Sequence, residues 1–518
     1  MNTTLLFIVL ITCFTFFTYS QHTNVIISDD NAPEEPTIVL DPCNPEILIA
    51  GANINNYFYS HDSGYTWHQE MLTSSYGVWG DPCVAVDTAG DFYFFHLSNP
   101  DEGDWLDRIV CQKTTDNGET WSDGSYMGLN GSKDQDKEWV SIDRNNNNIY
   151  VTWSEFDSYG SSASQDSSYI RFSRSTDGGQ TWSDAIRINK KAGDCLDDDN
   201  TVEGAVPVVG PSGEVFVSWV GEEGIMFDRS YDQGQTWLDE DIHVCNNPGG
   251  WNYNIPGISR CNGLPVIVCD TSGGLYHGNI YINWTDQRNG ESDTDVFLIK
   301  SSDNGQTWSN IKRVNNDPAG RQQFFTWMAI DQVTGYLYFV FYDRRNYNDN
   351  RTDVYMAVSK DGGDTFTNFR ISESPFDPVS SVFFGDYTNI TAYNNIIRPI
   401  WTRLDNTDLS VWTALVDIDA LGTDTQQQPF FSMEQNYPNP FNNKTYISFK
   451  LHKQADVTLK VYNMFGNEVT VLIDNMSIAP GKYTEQFDAA GYDLKPGIYC
   501  FSLITNEYSI TKKMVLSE

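Results

Sequence analysis

Between Glu138 and Trp182 the chain writes EWVSIDRNNNNIYVTWSEF and then YIRFSRSTDGGQTW, runs of alternating apolar residues broken by clusters of Asn and Gly. A period of two over four to eight residues marks an extended strand, and Asn- and Gly-rich breaks mark the turns between strands. Counting the stretch that follows TDGGQTW, the segment predicts four short antiparallel strands. The same grammar recurs in DPCVAVDTAGDFYFFHL, EGAVPVVGPSGEVFVSWV, GNIYINWTDQRNG and YLYFVFYDRRN. Helical periodicity is almost absent, so the chain is expected to be all-β.

Six near-identical stretches punctuate this pattern: SHDSGYTW, TTDNGETW, STDGGQTW, SYDQGQTW, SSDNGQTW and SKDGGDTF. Their aspartates are Asp62, Asp116, Asp177, Asp232, Asp303 and Asp361, at intervals of 54, 61, 55, 71 and 58 residues. A period of that size signals a repeat architecture. Each stretch is a turn with a mechanism: the carboxylate accepts neighbouring backbone N–H groups, the Gly two places on supplies positive φ, and Thr then Trp re-enter a strand. The Trp, replaced by Phe366 in the last copy, offers an aromatic face for packing between adjacent sheets. These six aspartates are therefore expected to be structural.

These stretches resemble the Asp boxes (BNR repeats) of the sialidase-like propellers. The resemblance covers residues 22 to about 418 and implies a β-propeller of four-stranded blades around a channel. A seventh unit, FFGDYTNITAYNNIIRPIWTRLD followed by LSVWTALVDI, lacks a box and supplies about three strands. The N-terminal NVIISD at 24–29 is expected to complete it and close the ring. Seven blades are preferred, with six as the alternative.

Residues 419–435 read as a polar, Gln-rich linker, and 436–518 as short strands of a small β-sandwich. QNYPNPFN, VYNMFGNEV, LKPGIYCFSL and the terminal KKMVL closely resemble the type A sorting domain of the type IX secretion system of Bacteroidetes. That resemblance implies export by this machinery, followed by release or attachment at the cell surface. The apolar run in residues 1–20, ending near Thr18 and Ser20, predicts a cleaved signal peptide. No later stretch reaches the roughly 18 apolar residues of a membrane helix.

Seventy Asp and Glu against 32 Lys and Arg give a net charge of −38, which repels nucleic acid. The chain is expected to be a monomer meeting extracellular glycans or glycoproteins. Cys13 leaves with the signal, and the other eight cysteines are read as structural thiols or bridges, at least one of them unpaired. DCLDDDN at 194–200 and DQDKE at 134–138 hold enough oxygen for a structural calcium, or are simply solvated acidic loops. No cofactor is required. His96 within FYFFHL reads as a packed residue.

In a propeller, the blade entrances and the loops joining second and third strands meet on one face. The entrances offer Asp81, Glu138, Glu203, Asp386 and Tyr387; the other loops offer Glu155, Asp286 with Arg288, Asp343 with Arg344 and Arg345, and Arg403 with Asp405. Three consecutive units thus present arginine, which suits a carboxylate-bearing sugar; the alternative is that each Arg pairs with its neighbouring Asp. The sialidase resemblance implies, by position, Asp81 as acid/base, Glu203 as activating base and Tyr387 as nucleophile. The family's Arg-Ile-Pro motif before the first box is missing, since no arginine precedes Arg108. Two functions therefore stand side by side: a glycoside hydrolase, and a non-catalytic binder of glycans or proteins.

Overall fold

The computed structural model describes residues 22–416, 418, 431–433, 435–451, 454–463, 468–492, 494–505 and 509–517. The expected signal peptide and most of the expected linker, residues 419–430 and 434, lie outside the described residues. The chain divides into two compact units between residues 422 and 423. Among the described residues the sole helical element is a 3-10 turn, Ala489–Tyr492, so the all-β expectation holds.

The first unit contains seven four-stranded antiparallel sheets among its described residues. Their first strands in chain order are Thr37–Leu40, Cys83–Val86, Asp134–Ile142, Glu203–Val209, Val266–Cys269, Gln323–Ile330 and Asn389–Tyr393. Six sheets use four consecutive strands. The seventh uses three, and Thr23–Ser28 completes it by pairing with Asp408–Leu415, Thr23 opposite Leu415. First strands touch from each sheet to the next, and the seventh touches the first.

Alternation along a strand normally separates a core face from a wet face. Here Ile149–Phe156, Val215–Gly221, Ile280–Asp286 and Leu337–Asp343 are buried at every position. Each is a middle strand of a sheet flanked by neighbouring sheets, so its polar residues must find partners inside. Thr152 donates to the carbonyl of Ala205 at 2.6 Å and Ser154 to that of Val202 at 3.2 Å, joining the third sheet to the fourth. His96 is likewise buried, bonded to Leu97 and Gln112, and burial lowers its pKa to about 4.

Each repeated aspartate pins the turn between third and fourth strands. The Thr307 N–H and hydroxyl donate to Asp303 at 2.9 and 2.6 Å, Ser301 adds a third bond at 2.7 Å, and together they hold the carboxyl down at about 2. Gly305 lies at φ 76°, and a Cβ there would come 2.3 Å from the Phe227 ring of the preceding sheet, so only glycine fits. The following tryptophans reach back in the same way: Trp182 to Phe95, Trp237 to Phe172 and Trp308 to Phe227, with centroids 5.9, 5.0 and 5.3 Å apart. Phe366 meets Phe339 of its own sheet instead.

A second set of aspartates marks the corner between first and second strands. Asp41, Asp87, Asp143, Asp270 and Asp331 each accept from the backbone N–H two residues on, at 2.7–2.9 Å. All eight cysteines among the described residues are free thiols, six of them buried, so none of the bridges held open above is formed.

The second unit holds a three-stranded sheet, Phe431–Met433, Lys444–Leu451 and Gly481–Asp488, and a four-stranded one, Ala455–Asn463, Glu468–Ile478, Gly497–Thr505 and Ser509–Leu516. Ile447, Phe449, Leu459, Val461, Phe501 and Leu503 from both sheets share one apolar cluster. Buried and less buried positions alternate along Lys444–Leu451, as expected of a sheet with one covered face.

Candidate functional site

Antiparallel alternation puts the start of every first strand at one end of the first unit and both sets of aspartate corners at the other. At the starting end the chain reads Glu35-Pro-Thr, Asp81-Pro-Cys, Lys137-Glu-Trp, Gly204-Ala-Val, Leu264-Pro-Val, Phe325-Thr-Trp and Tyr387-Thr-Asn. One residue from each sheet thus enters a common ring. Glu35, Asp81, Lys137, Gly204 and Phe325 all have positive φ, 53°, 49°, 52°, 67° and 49°. Ladder register slips between Asp136 and Trp139, Glu203 and Val206, and Phe324 and Trp327, so in three sheets the turn is a bulge. A left-handed Lys or Phe costs about 1 kcal/mol or more, strain that clusters at functional positions.

Lys137 is the centre of the polar half of the ring. Its ammonium lies 2.9 Å from Asp386, 3.0 Å from Asp81 and 3.6 Å from Glu35. Arg260 Nε donates to Asp386 Oδ1 at 3.0 Å and Nη1 to Asp197 at 2.8 Å, and Tyr159 donates to Asp197 at 2.6 Å. Asn53 ties the backbone in: its Nδ2 donates to Glu35, and its Oδ1 accepts from the Asp81 N–H at 2.7 Å.

Seven buried carboxyls, those of Glu34, Glu35, Asp81, Asp136, Glu138, Glu203 and Asp386, share two cations. They cannot all be charged. Burial would raise Asp81 and Asp386, but Lys137, joined at Asp386 by Arg260, holds both below the ordinary carboxylate range, and the Glu35 carboxyl also hydrogen-bonds Asp81. Burial instead dominates at Glu34, pushed up to about 8, and at Glu35, Asp136, Glu138 and Glu203, all well above their usual values. Lys137 keeps its proton because its carboxylates outweigh the burial that opposes its charge. Both Glu138 oxygens and Glu203 Oε2 lack a hydrogen-bond partner.

The remaining arc is apolar. Tyr387 packs its ring on Trp139 and Trp327, with centroids 5.2 and 6.2 Å away, and Lys137 Nζ sits 5.7 Å from its centroid. Behind it is a cavity of ≈ 20 Å³, bounded by Lys137, Gly204, Leu264, Phe325, Asp386 and Tyr387 among others. That is room for about one water.

Of the residues expected from the sequence, Asp81, Glu138, Glu203, Asp386 and Tyr387 converge here. No hydrogen bond joins Tyr387 to Glu203 among the described residues, and burial pushes the Tyr387 hydroxyl well above its usual value. The arginines do not converge. Arg288 Nε is on Asp286 at 2.9 Å, Arg345 Nε on Asp343 at 2.9 Å and Arg403 on Asp405 at 2.5 Å. Arg344 is buried, donating to the Pro256 carbonyl and to Thr352 at 2.7 and 3.1 Å. Glu155 is bonded by Arg171 and Asn130. Arg288, Arg345 and Arg403 thus pair with the Asp two residues away, the second of the two readings left open above, whereas Arg344 is held by the Pro256 carbonyl of another segment.

Sequence reasoning missed Glu34, Glu35, Lys137, Arg260 and Asn53. Lys137 and Asp136 sit inside DQDKE, read above as a solvated acidic loop or a calcium site; residues 135–138 are buried, so the loop is not a solvated one, and the ammonium of Lys137 lies among the carboxylates. Among the described residues no group of three or more His, Cys, Asp or Glu is arranged to hold a metal ion. The available signal was the triplet before each first strand, most visible in Glu35-Pro-Thr and Asp81-Pro-Cys.

The model of the BNR repeat-like domain matches residues 147–448, more than half of the chain, and that of the secretion system C-terminal sorting domain matches 435–517. The second match indicates handling by the type IX system, secretion and attachment at the cell surface. No helix among the described residues is long and apolar enough to cross a membrane. A curated relative, the xyloglucanase Xgh74A of Acetivibrio thermocellus, is 24% identical over 358 residues. That alignment takes in 64% of this chain but only 38% of the relative. Among solved structures, an ulvan lyase of family PL25 covers 78% of this chain and 100% of its own at 12% identity and a TM-score of 0.48. The NanB sialidase of Streptococcus pneumoniae covers 72% and 83% at 10% identity and a TM-score of 0.43.

Proposed function

The chain belongs to the BNR repeat-like domain family, and from that premise we propose that it is an exported propeller that binds glycans at the cell surface without cleaving them. The seven sheets are read as seven closed blades, the two sheets of the second unit as the sorting sandwich, and the protein as a monomer needing no cofactor. What supports the ligand class is the glycoside-hydrolase-related family and the relative named as a xyloglucanase.

The observation that carries the binding mode is the sealed ring. Glu35 and Glu138 are 1% exposed and Asp386 2%, the cavity behind them has room for one water, and burial keeps the Tyr387 hydroxyl protonated. A sugar ring has no route to these carboxyls. They act as a lock across the sheets rather than as reagents, and the arginines that would hold an acidic sugar are engaged elsewhere.

One observation favours a second reading, a glycoside hydrolase. Ionised Asp81 lies hydrogen-bonded to the neutral Glu35 carboxyl, a base beside an acid, with Glu138 and Glu203 as further proton donors. Release of reducing ends from a panel of neutral, sialylated and uronic-acid glycans separates the two. Retention of a glycan with no turnover is the expected result. Turnover that falls about 100-fold or more in Asp81→Asn, Glu203→Gln or Tyr387→Phe overturns the binder and establishes the hydrolase.

A further inference from the structure

Beside the sealed ring lies an open groove of ≈ 560 Å³, built by loops of the seventh, first and second sheets. Its walls include Trp79 and Phe383, each 39% exposed, and the side-chain amides of Asn53, Asn55 and Asn99; Glu34 reaches its floor. No lysine or arginine lines it. Trp79 stands edge-on to Trp105, with centroids 6.2 Å apart at 88°, which props its indole upright.

We propose that this groove holds a neutral glycan, a pyranose ring lying on Trp79 or Phe383 with its hydroxyls bonded to Asn55, Asn99 and Glu34. This deepens the glycan-binding reading and rests on it. Three features select the ligand. A pyranose presents a face of C–H bonds to an aromatic ring and a rim of hydroxyls that donate and accept at once, matching amide side chains.

The Oε2 atom of Glu34 is buried yet accepts no hydrogen bond, although the residue is only 9% exposed and borders the groove. A buried oxygen without a partner is costly, and a sugar hydroxyl would satisfy it. Charge also disfavours the acidic sugars: the lining offers no cation to pair a carboxylate, and the cations behind it, Lys137 and the Arg260 guanidinium 5.3 Å from the Phe383 ring, are already engaged by Asp81, Asp386 and Asp197.

The test uses the full chain in affinity electrophoresis through gels containing xyloglucan, a neutral polysaccharide, or polygalacturonate, an acidic one. Xyloglucan should retard the protein and polygalacturonate should not. Trp79→Ala, Phe383→Ala and Glu34→Gln should weaken retention about tenfold, equivalent to about 1.4 kcal/mol, with an unchanged far-UV circular dichroism spectrum as the folding control. Quenching or a shift of tryptophan emission on adding xyloglucan to the parent, absent in Trp79→Ala, gives a second readout. Retention by xyloglucan that all three variants keep overturns the groove and leaves glycan binding standing. Preferential retention by polygalacturonate overturns the neutral class. If neither these nor any other glycan is bound, the groove and the proposed function fall together.

Discussion

Asp303 and Asp386 are the same side chain at opposite ends of the first unit, and their surroundings share almost nothing. Asp303 is half-buried and accepts its bonds from Thr307 and Ser301, within four residues of its own turn. Asp386 is 2% exposed, and its charge is balanced by Lys137 and Arg260, which come from the third sheet and from the segment before the fifth. The aspartate turn is a local device that works once per sheet, regardless of the others. The ring works only when several sheets are already side by side. One end is therefore modular and the other collective, and removing one member should cost little at the first and much at the second.

Replacing Lys137 tests that difference most severely. Lys137→Met leaves Asp81, Asp386 and Glu35 facing one another without their shared cation, at a cost of about 3–5 kcal/mol. Urea denaturation measures it; a parent-like midpoint would mean that the ring holds nothing together.

The pH profile sharpens the same contrast. Burial raises Glu34 from 4.5 to about 8, so the folded protein keeps a proton that the unfolded chain loses over that range. Its contribution is therefore complete below about pH 4.5 and drains away as the pH rises to about 8, by about 2 kcal/mol between about pH 5.5 and 7. Glu34→Gln should flatten this part of the melting curve. At the other end Asp303 runs oppositely, held at about 2 from 3.8, so its contribution is lost only in acid, below about pH 4.

Asp303→Ala should cost about 1–2 kcal/mol, the worth of two or three turn hydrogen bonds, in a thermal melt near neutral pH. The same substitution at Asp232 should cost about as much, because the bonds repeat. Smallest is Arg403→Ala. Its partner Asp405 is half exposed, so a change of about 0–1 kcal/mol is expected, with glycan retention unchanged.

Much of this was legible in the chain. The six aspartate turns repeat so closely that their fold could be written from residue type alone, and the completion of the seventh sheet by NVIISD followed from a missing strand. The corner aspartates Asp41, Asp87, Asp143, Asp270 and Asp331 were equally legible but unread, because the residues around them vary. Burial on both faces of the middle strands was not legible, since Thr152 and Ser154 look solvent-facing until the fourth sheet supplies their acceptors.

The ring was the hardest to see. Sequence alone determined where strands run, where each turns and where the sorting tail begins, because these depend on bonds and periods within a few residues. Only the tertiary structure decided that Glu35, Asp81, Lys137, Glu203, Arg260 and Asp386 meet, since each arrives from a different segment with no fixed spacing. It also decided which of those carboxyls are charged. Ionisation in a crowded, water-poor space is set by the nearest cation and the depth of burial, and both exist only after the sheets have closed around them.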